Sequence, residues 1–248
     1  RFWPLSRVQK PKQFLRLAHA EQTLLEQTVF RLEPLIQSND IYIATAPHLV
    51  EPSAQYVGAV PSDNVLAEPH KRNTAGCLVW MAAQLLATDS NARATISMAV
   101  LAADHRISPD EGFRATLDAC LTLAESGDGI VTIGIKPDRP ETGYGYIEKD
   151  SSVPPLGTAQ VPIYPVKQFR EKPDLATAQV FVQNEDFLWN SGTFFWTLDT
   201  FLTELENAAP DLYAALEQIT AALIAGDIAS AEATFAAIRN VSIDYALM

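Results

Sequence analysis

The sequence runs to 248 residues, enough for one large domain or two small ones, and 48% of it is apolar against 19% charged, as in an ordinary globular protein. A formal net charge of −12 excludes the broad basic surface that nucleic acid requires, yet leaves room for a nucleotide held by a local cluster of cations. There is no signal peptide and no apolar run long enough to span a bilayer, so no membrane association is expected.

The first sixteen residues gather Arg1, Arg7, Lys10, Lys12 and Arg16 without a single acid. A solvated basic tail is one reading of such a run. Phe2, Trp3, Leu5, Phe14 and Leu15 in the same stretch argue for an anchored loop instead, and Pro4 and Pro11 restrict its backbone. A stiff loop carrying Arg for planar two-point contacts and Lys as a point charge suits a polyphosphate.

Leu24, Leu25, Val29, Leu32 and Leu35 recur at helical spacing, which predicts a helix over 21–35 ending near Pro34. A short strand over 41–45, a helix over 48–57 and a strand over 64–68 follow. Residues 73–86 read as a long apolar helix. The continuous apolar run 96–103 is expected as a strand buried on both faces, ending at Asp104. Phe113, Leu117, Cys120 and Leu121 share a face of a helix over 109–125, and 129–135 reads as the next buried strand. This alternation predicts an α/β fold with a mixed, mostly parallel sheet between helices. The pattern then changes to strands over 142–149 and 161–171 around a loop at 151–158, and an aromatic-rich strand over 186–197. The Ala- and Leu-rich residues 198–248 are expected to be helical. Cys77 and Cys120 lack metal-type spacing and are expected as buried free thiols in a reducing cytoplasm.

Several positions along this frame could carry chemistry. Asp104 stands where open α/β sheets place ligands, although an Asp there could simply cap the next turn. Residues 68–75, Glu-Pro-His-Lys-Arg-Asn-Thr-Ala, join a strand to a helix that Asn73 or Thr74 would cap, and helix starts also present N–H groups to anions. In 140–147, Pro-Glu-Thr-Gly-Tyr-Gly-Tyr-Ile, the glycines either make a turn or let backbone approach a ligand. The Glu171-Lys172 pair within Phe-Arg-Glu-Lys-Pro reads by itself as a surface ion pair. Leu-Trp-Asn-Ser-Gly-Thr-Phe at 188–194 places Asn190 beside Trp189 and Phe194, two expected core residues.

Taken in order, Arg1-Phe-Trp-Pro-Leu-Ser-Arg7 with Pro-Lys-Gln-Phe-Leu15, then 68–75, Ala-Ala-Asp-His at 102–105, 140–147, 169–173 and 188–194 resemble the motifs of the sugar-1-phosphate nucleotidylyltransferases. More narrowly they resemble the mannose-1-phosphate guanylyltransferase family. The resemblance covers almost the whole chain. It implies a Rossmann-like, glycosyltransferase-A-type catalytic domain over 1–248, with 198–248 as a helical extension within it. It further implies transfer of GMP from GTP to α-D-mannose 1-phosphate with Mg²⁺ in the cytoplasm, and it leaves a homo-oligomer open. By the same resemblance Arg1 and Lys12 serve the triphosphate, Asp104 the Mg²⁺, and Lys172 the sugar phosphate. Glu68, Asn73 and Thr74 line the nucleotide pocket, while Gly145, Glu171 and Asn190 hold the hexose. His105 is expected to be structural.

The family carries a glycine turn ahead of its Arg and a Trp-Ser-Asp-x-Gly-Ser-Trp motif further on, whose Asp is a second metal carboxylate. Neither stands in this sequence, and Thr193 replaces the family's Met. By the resemblance, either these motifs lie in parts of the polypeptide outside this sequence or the metal site is crippled. Two alternatives stay open: the same chemistry with another nucleotide or hexose phosphate, and an inactive nucleotide-sugar-binding regulatory subunit.

Overall fold

The computed structural model describes residues 4–7, 10–17, 19–127, 129–158 and 160–247. Its elements begin with a capping box: Thr23 accepts the Glu26 N–H at 3.2 Å while the Glu26 carboxylate accepts the Thr23 N–H at 2.6 Å. With two N-terminal donors satisfied reciprocally, α1 starts at its first apolar residue and spans Leu24–Leu32. It is shorter than expected at both ends, because Thr23 rather than Glu21 opens it and Glu33 already has extended backbone. Strand β1 (Ile43–Thr45), helix α2 (Val50–Tyr56) and strand β2 (Val65–Ala67) follow. Helix α3 (Asn73–Thr88) is apolar nearly all round and accordingly buried along most of its length. A short α4 (Ala92–Thr95) leads to β3 (Ser97–Val100), and then to α5 (Asp110–Ser126) and β4 (Val131–Ile135).

The remainder holds β5 (Tyr146–Lys149), the two-residue strands β6 (Leu156–Gly157) and β7 (Pro162–Ile163), β8 (Val166–Arg170), α6 (Leu175–Gln183) and β9 (Phe187–Thr197). Helices α7 (Leu198–Ala208), α8 (Pro210–Ile224), α9 (Ile228–Ala237) and α10 (Ile243–Leu247) fill the expected helical segment. Asp174, Thr197 and Asp227 cap α6, α7 and α9 with side-chain oxygens.

These elements form two compact units. The first comprises Arg1–Ile96, Ala103–Arg114 and Thr197–Met248, the second Ser97–Ala102 and Ala115–Trp196. In the first, β1 and β2 pair in parallel, Ile43 opposite Val65 and Thr45 opposite Ala67. Its core lies where α3 packs on α8, flanked by α7 and α9, with Trp80 and Phe235 ring centroids 5.2 Å apart. In the second, a five-stranded sheet runs in the order β3-β9-β5-β8, with β4 also on β9. The pairings of β9 with β4 and β5, and of β5 with β8, are antiparallel. Tyr146, Ala178, Phe181, Phe187 and Trp189 make a core cluster there, with Phe181 and Phe187 stacked at 3.9 Å.

The α/β class holds, with strands of both senses between helices. The balance of pairings differs from the expected mostly parallel sheet. No crossover helix separates β5 from β8, and strands joined by non-helical connections pair antiparallel. Strands β3 and β4 are half-buried rather than buried on both faces, since β3 stands at one end of the sheet order. Residues 142–145, expected as strand, lead into β5 as a turn. Among the described residues no helix is long and apolar enough to cross a membrane.

Candidate functional site

In the first unit the basic loop is anchored through Phe14 and Leu15, while Leu5, expected to help anchor it, is exposed. Phe14 and Leu15 are buried, the Phe14 ring lies 4.9 Å from that of Tyr56, and the Leu15 carbonyl accepts the Leu24 N–H at 3.1 Å. Arg7 and Lys10 close a two-bond bridge, each N–H donating to the other's carbonyl at 2.9 and 3.0 Å. Pro11 then opens a single 3-10 turn, Lys12–Phe14. With Phe14 directed inward, Lys12 stays exposed, and its ammonium pairs with the Asp104 carboxylate. Arg1, Phe2 and Trp3 lie outside the described residues.

Asp104 does not end a strand, because β3 stops at Val100 and Asp104 occupies a turn four residues on. Behind it His105 is half-buried. Burial, followed by the positive charges of Lys12 and Arg31, holds its pKa below the ordinary imidazole value. A neutral imidazole there fits the structural role expected of it. Arg31 is a charge with no signature in the sequence. It is only 2% exposed, its Nε lies 3.1 Å from Asp110, and its guanidinium stands 5.9 Å over the Phe113 ring.

Residues 68–75 start beyond β2, where the Glu68 N–H extends the parallel ladder to the Thr45 carbonyl at 2.7 Å. The Glu68 carboxylate accepts the Arg72 N–H at 3.2 Å. Burial raises the Glu68 pKa; that N–H and the charges of Lys71 and Arg72 oppose the rise. The expected capping of α3 by Asn73 or Thr74 does not occur. Arg72 is the cap and gives the helix no side-chain capping bond, and Asn73 is already the first residue of α3, with the uncommon φ of 60°. Asn73 Oδ1 accepts the Thr74 N–H at 2.9 Å, while the Thr74 hydroxyl accepts the Ile243 N–H at 2.8 Å and so holds α10. Arg72 Nη2 donates to the Ala236 carbonyl. Cys77, one turn on, has its thiol pushed up to about 12 by burial and then by the Glu68 charge. Glu68, just before α3, and Asn73 and Thr74, in its first turn, thus stand close in sequence but bond three separate groups.

In the second unit the expected hexose residues converge. Asn190 donates its N–H to the Gly145 carbonyl at 2.8 Å, and the pairing of Tyr146 with Arg170 sets Gly145 beside Glu171. A Cβ on Gly145 would lie 2.7 Å from Glu171 Oε2 and 2.9 Å from Phe169 Cζ. Lys172 adopts φ 43° and pairs through its ammonium with Glu171, whose side chain is 16% exposed against 58% for Lys172. Such a backbone costs about 1–3 kcal/mol and persists where surrounding structure imposes it. The Tyr146 hydroxyl accepts the Glu141 N–H at 3.1 Å and donates to its carbonyl at 3.0 Å, which fixes the turn ahead of Gly145. Trp189 and Phe194 are buried, as expected. Trp189 lies under the Arg139 guanidinium at 5.1 Å and edge-on to Tyr144 at 5.3 Å. Arg139 and Thr132, which lies 3.3 Å from Asn190 Oδ1, had no distinguishing mark in the sequence.

The family model described as nucleotidyl transferase matches residues 1–228. The chain is 39% identical along its whole length to the mannose-1-phosphate guanylyltransferase of Salmonella typhimurium, and 37% identical to that of Escherichia coli. It covers 51% of each of these relatives, so it spans about half their length. The crystal structure of a mannose-1-phosphate geranyltransferase from Thermus thermophilus superposes with a TM-score of 0.82 at 35% identity, over 99% of this chain and 66% of that one.

Proposed function

Because this chain belongs to the nucleotidyl transferase family, we propose that it transfers GMP from GTP to α-D-mannose 1-phosphate, releasing GDP-mannose and pyrophosphate. The names of relatives at 37–39% identity support this pair of substrates. The observation that carries it is the cluster of Gly145, Glu171 and Asn190. A carboxylate seated in the space a Cβ on Gly145 would take, and the side-chain amide of Asn190, whose backbone N–H is tied to Gly145, offer an acceptor and a donor to sugar hydroxyls, with the Lys172 cation alongside for the phosphate.

In this reading a phosphate oxygen of mannose 1-phosphate attacks the α-phosphorus of GTP in line. The new P–O bond forms as the α–β anhydride bond breaks, and pyrophosphate leaves with the electron pair. The nucleophile is already anionic, so no base is needed, and catalysis rests on positioning and charge neutralisation. Lys12 and Arg1 bind the triphosphate. For this the Lys12 ammonium, on a side chain 51% exposed, exchanges the Asp104 carboxylate for phosphate. Glu68, Asn73 and Thr74 line the nucleoside side, the N–H groups at the start of α3 adding positive potential.

Among the described residues no group of three or more His, Cys, Asp or Glu is gathered for a metal. Asp104, with a side chain 20% exposed, fits Mg²⁺ of the kind held by one or two carboxylates together with phosphates and water. When bound there, the ion would neutralise charge on the phosphate oxygens. A nucleotide substrate also fits a cytoplasmic setting. Pyrophosphate release by the full-length protein with GTP, mannose 1-phosphate and Mg²⁺ tests the proposal. Release should need both substrates and fall at least about a hundredfold in Asp104→Asn. Binding of GDP-mannose without release would instead identify a binding protein.

A further inference from the structure

Strand β9 does not run evenly beside β4. Thr132 stands opposite Phe194 and Gly134 opposite Asn190, so Ile133 alone faces Ser191, Gly192 and Thr193. Extra residues of this kind unpair backbone groups, bend the strand and re-aim its side chains, and they recur beside functional sites. Two local bonds and one hydroxyl from the neighbouring strand hold this bulge. Gly192, at φ 70°, donates its N–H to Asn190 Oδ1 at 3.1 Å. Thr193 donates its N–H to Ser191 Oγ at 3.2 Å. From the neighbouring strand, Thr132 Oγ1 reaches the Thr193 carbonyl at 2.9 Å and Asn190 Oδ1 at 3.3 Å. One hydroxyl carries one hydrogen, so the two acceptors share it, with the closer contact at Thr193.

We propose that Thr132 is a positioning residue for the sugar site: its hydroxyl closes the β9 bulge, and the bulge's Gly192 N–H sets the rotation of the Asn190 amide, so that the nitrogen end meets a hexose hydroxyl. The inference rests on the reading of Gly145, Glu171 and Asn190 as hexose contacts. Oδ1 is engaged by the Gly192 N–H and the Thr132 hydroxyl. Rotating the amide by half a turn would set its NH₂ against the Gly192 N–H, a donor only, so the bulge held by the Thr132 hydroxyl selects one orientation. The backbone N–H of Asn190 on the Gly145 carbonyl then ties this residue to the start of β5, beside Glu171. Thr132 itself touches no substrate in this arrangement and acts through Asn190.

The test compares the full-length wild type with Thr132→Val, which keeps the branched shape, and Thr132→Ser, which keeps the hydroxyl. Mannose 1-phosphate affinity is read by calorimetry, KM for both substrates by pyrophosphate release, and Tm by calorimetry. Thr132→Val should weaken sugar-phosphate binding about tenfold and leave the KM for GTP within about twofold, and Thr132→Ser should restore binding. Unchanged sugar affinity in Thr132→Val, no rescue by Ser, or an equal rise in both KM values as Tm falls would overturn the assignment. Should Thr132→Val fail to fold, Thr132→Ala beside Thr132→Ser gives the same comparison. A wild type that binds another hexose 1-phosphate but not mannose 1-phosphate sinks the substrate reading, while loss of that binding in Thr132→Val keeps Thr132 in its role. A wild type that binds no hexose phosphate removes both.

Discussion

At Gly145 the space a methyl group would fill is occupied by the ends of two side chains, Glu171 Oε2 and Phe169 Cζ. The Glu171 carboxylate can swing aside while the stiffer Phe169 ring must shift, so Gly145→Ala should fold with a modest fall in Tm. The yielding group, however, is the carboxylate assigned to the hexose. Gly145→Ala is therefore expected to raise the KM for mannose 1-phosphate about tenfold, the equivalent of displacing one hydrogen bond to a charged group. An unaltered KM would take Glu171 out of the sugar site. Gly145, Glu171 and Asn190 were legible as candidates through the family motifs they stand in, since Glu171 with Lys172 reads by itself as a surface ion pair. Thr132 and Arg31 were not. A threonine in an apolar strand and an arginine in an amphipathic helix look ordinary until register and burial give them partners.

Among elements, the start of α3 departs furthest from its sequence pattern. Asn73 and Thr74 have the chemistry of caps, yet the Thr74 hydroxyl is taken by the Ile243 N–H from a segment 169 residues away in sequence. Long-range demand outweighs the local preference. Thr74→Val leaves that amide without its acceptor, at a cost of about 1–3 kcal/mol. Calorimetry should show a fall in Tm of several degrees, whereas an unchanged Tm would mean that α10 does not depend on this bond. The strand lengths teach a related lesson. The apolar run 96–103 predicts a buried strand, but β3 holds only Ser97–Val100 at one end of the sheet order, where a strand has one neighbour. Hydrophobic runs record what could be buried, and a strand's place in the sheet decides how much is.

For the whole molecule, Glu68 makes stability depend on pH. Burial places its folded-state pKa above the unfolded value near 4.5. The folded protein therefore keeps this proton to higher pH than the unfolded chain does. The contribution is fully present below about 4.5 and is lost as pH rises through the folded pKa. Glu68→Gln should gain Tm over the wild type at pH 7 and lose that advantage near pH 4. A Tm difference independent of pH would show that burial does not govern this carboxylate.

The sequence by itself determined the helical C-terminal segment, the α/β class, the family and most of the residues that frame the candidate chemistry. Periodicity, composition and short motifs are local properties, readable without coordinates. Tertiary structure alone decided that Lys12 meets Asp104, that Thr74 serves α10, that β5, β8 and β9 pair antiparallel, and that Thr132 braces Asn190 across a bulge. Each of these joins residues distant in sequence. Hydrogen bonds and ion pairs act over a few ångströms, and only the folded chain brings those partners within reach.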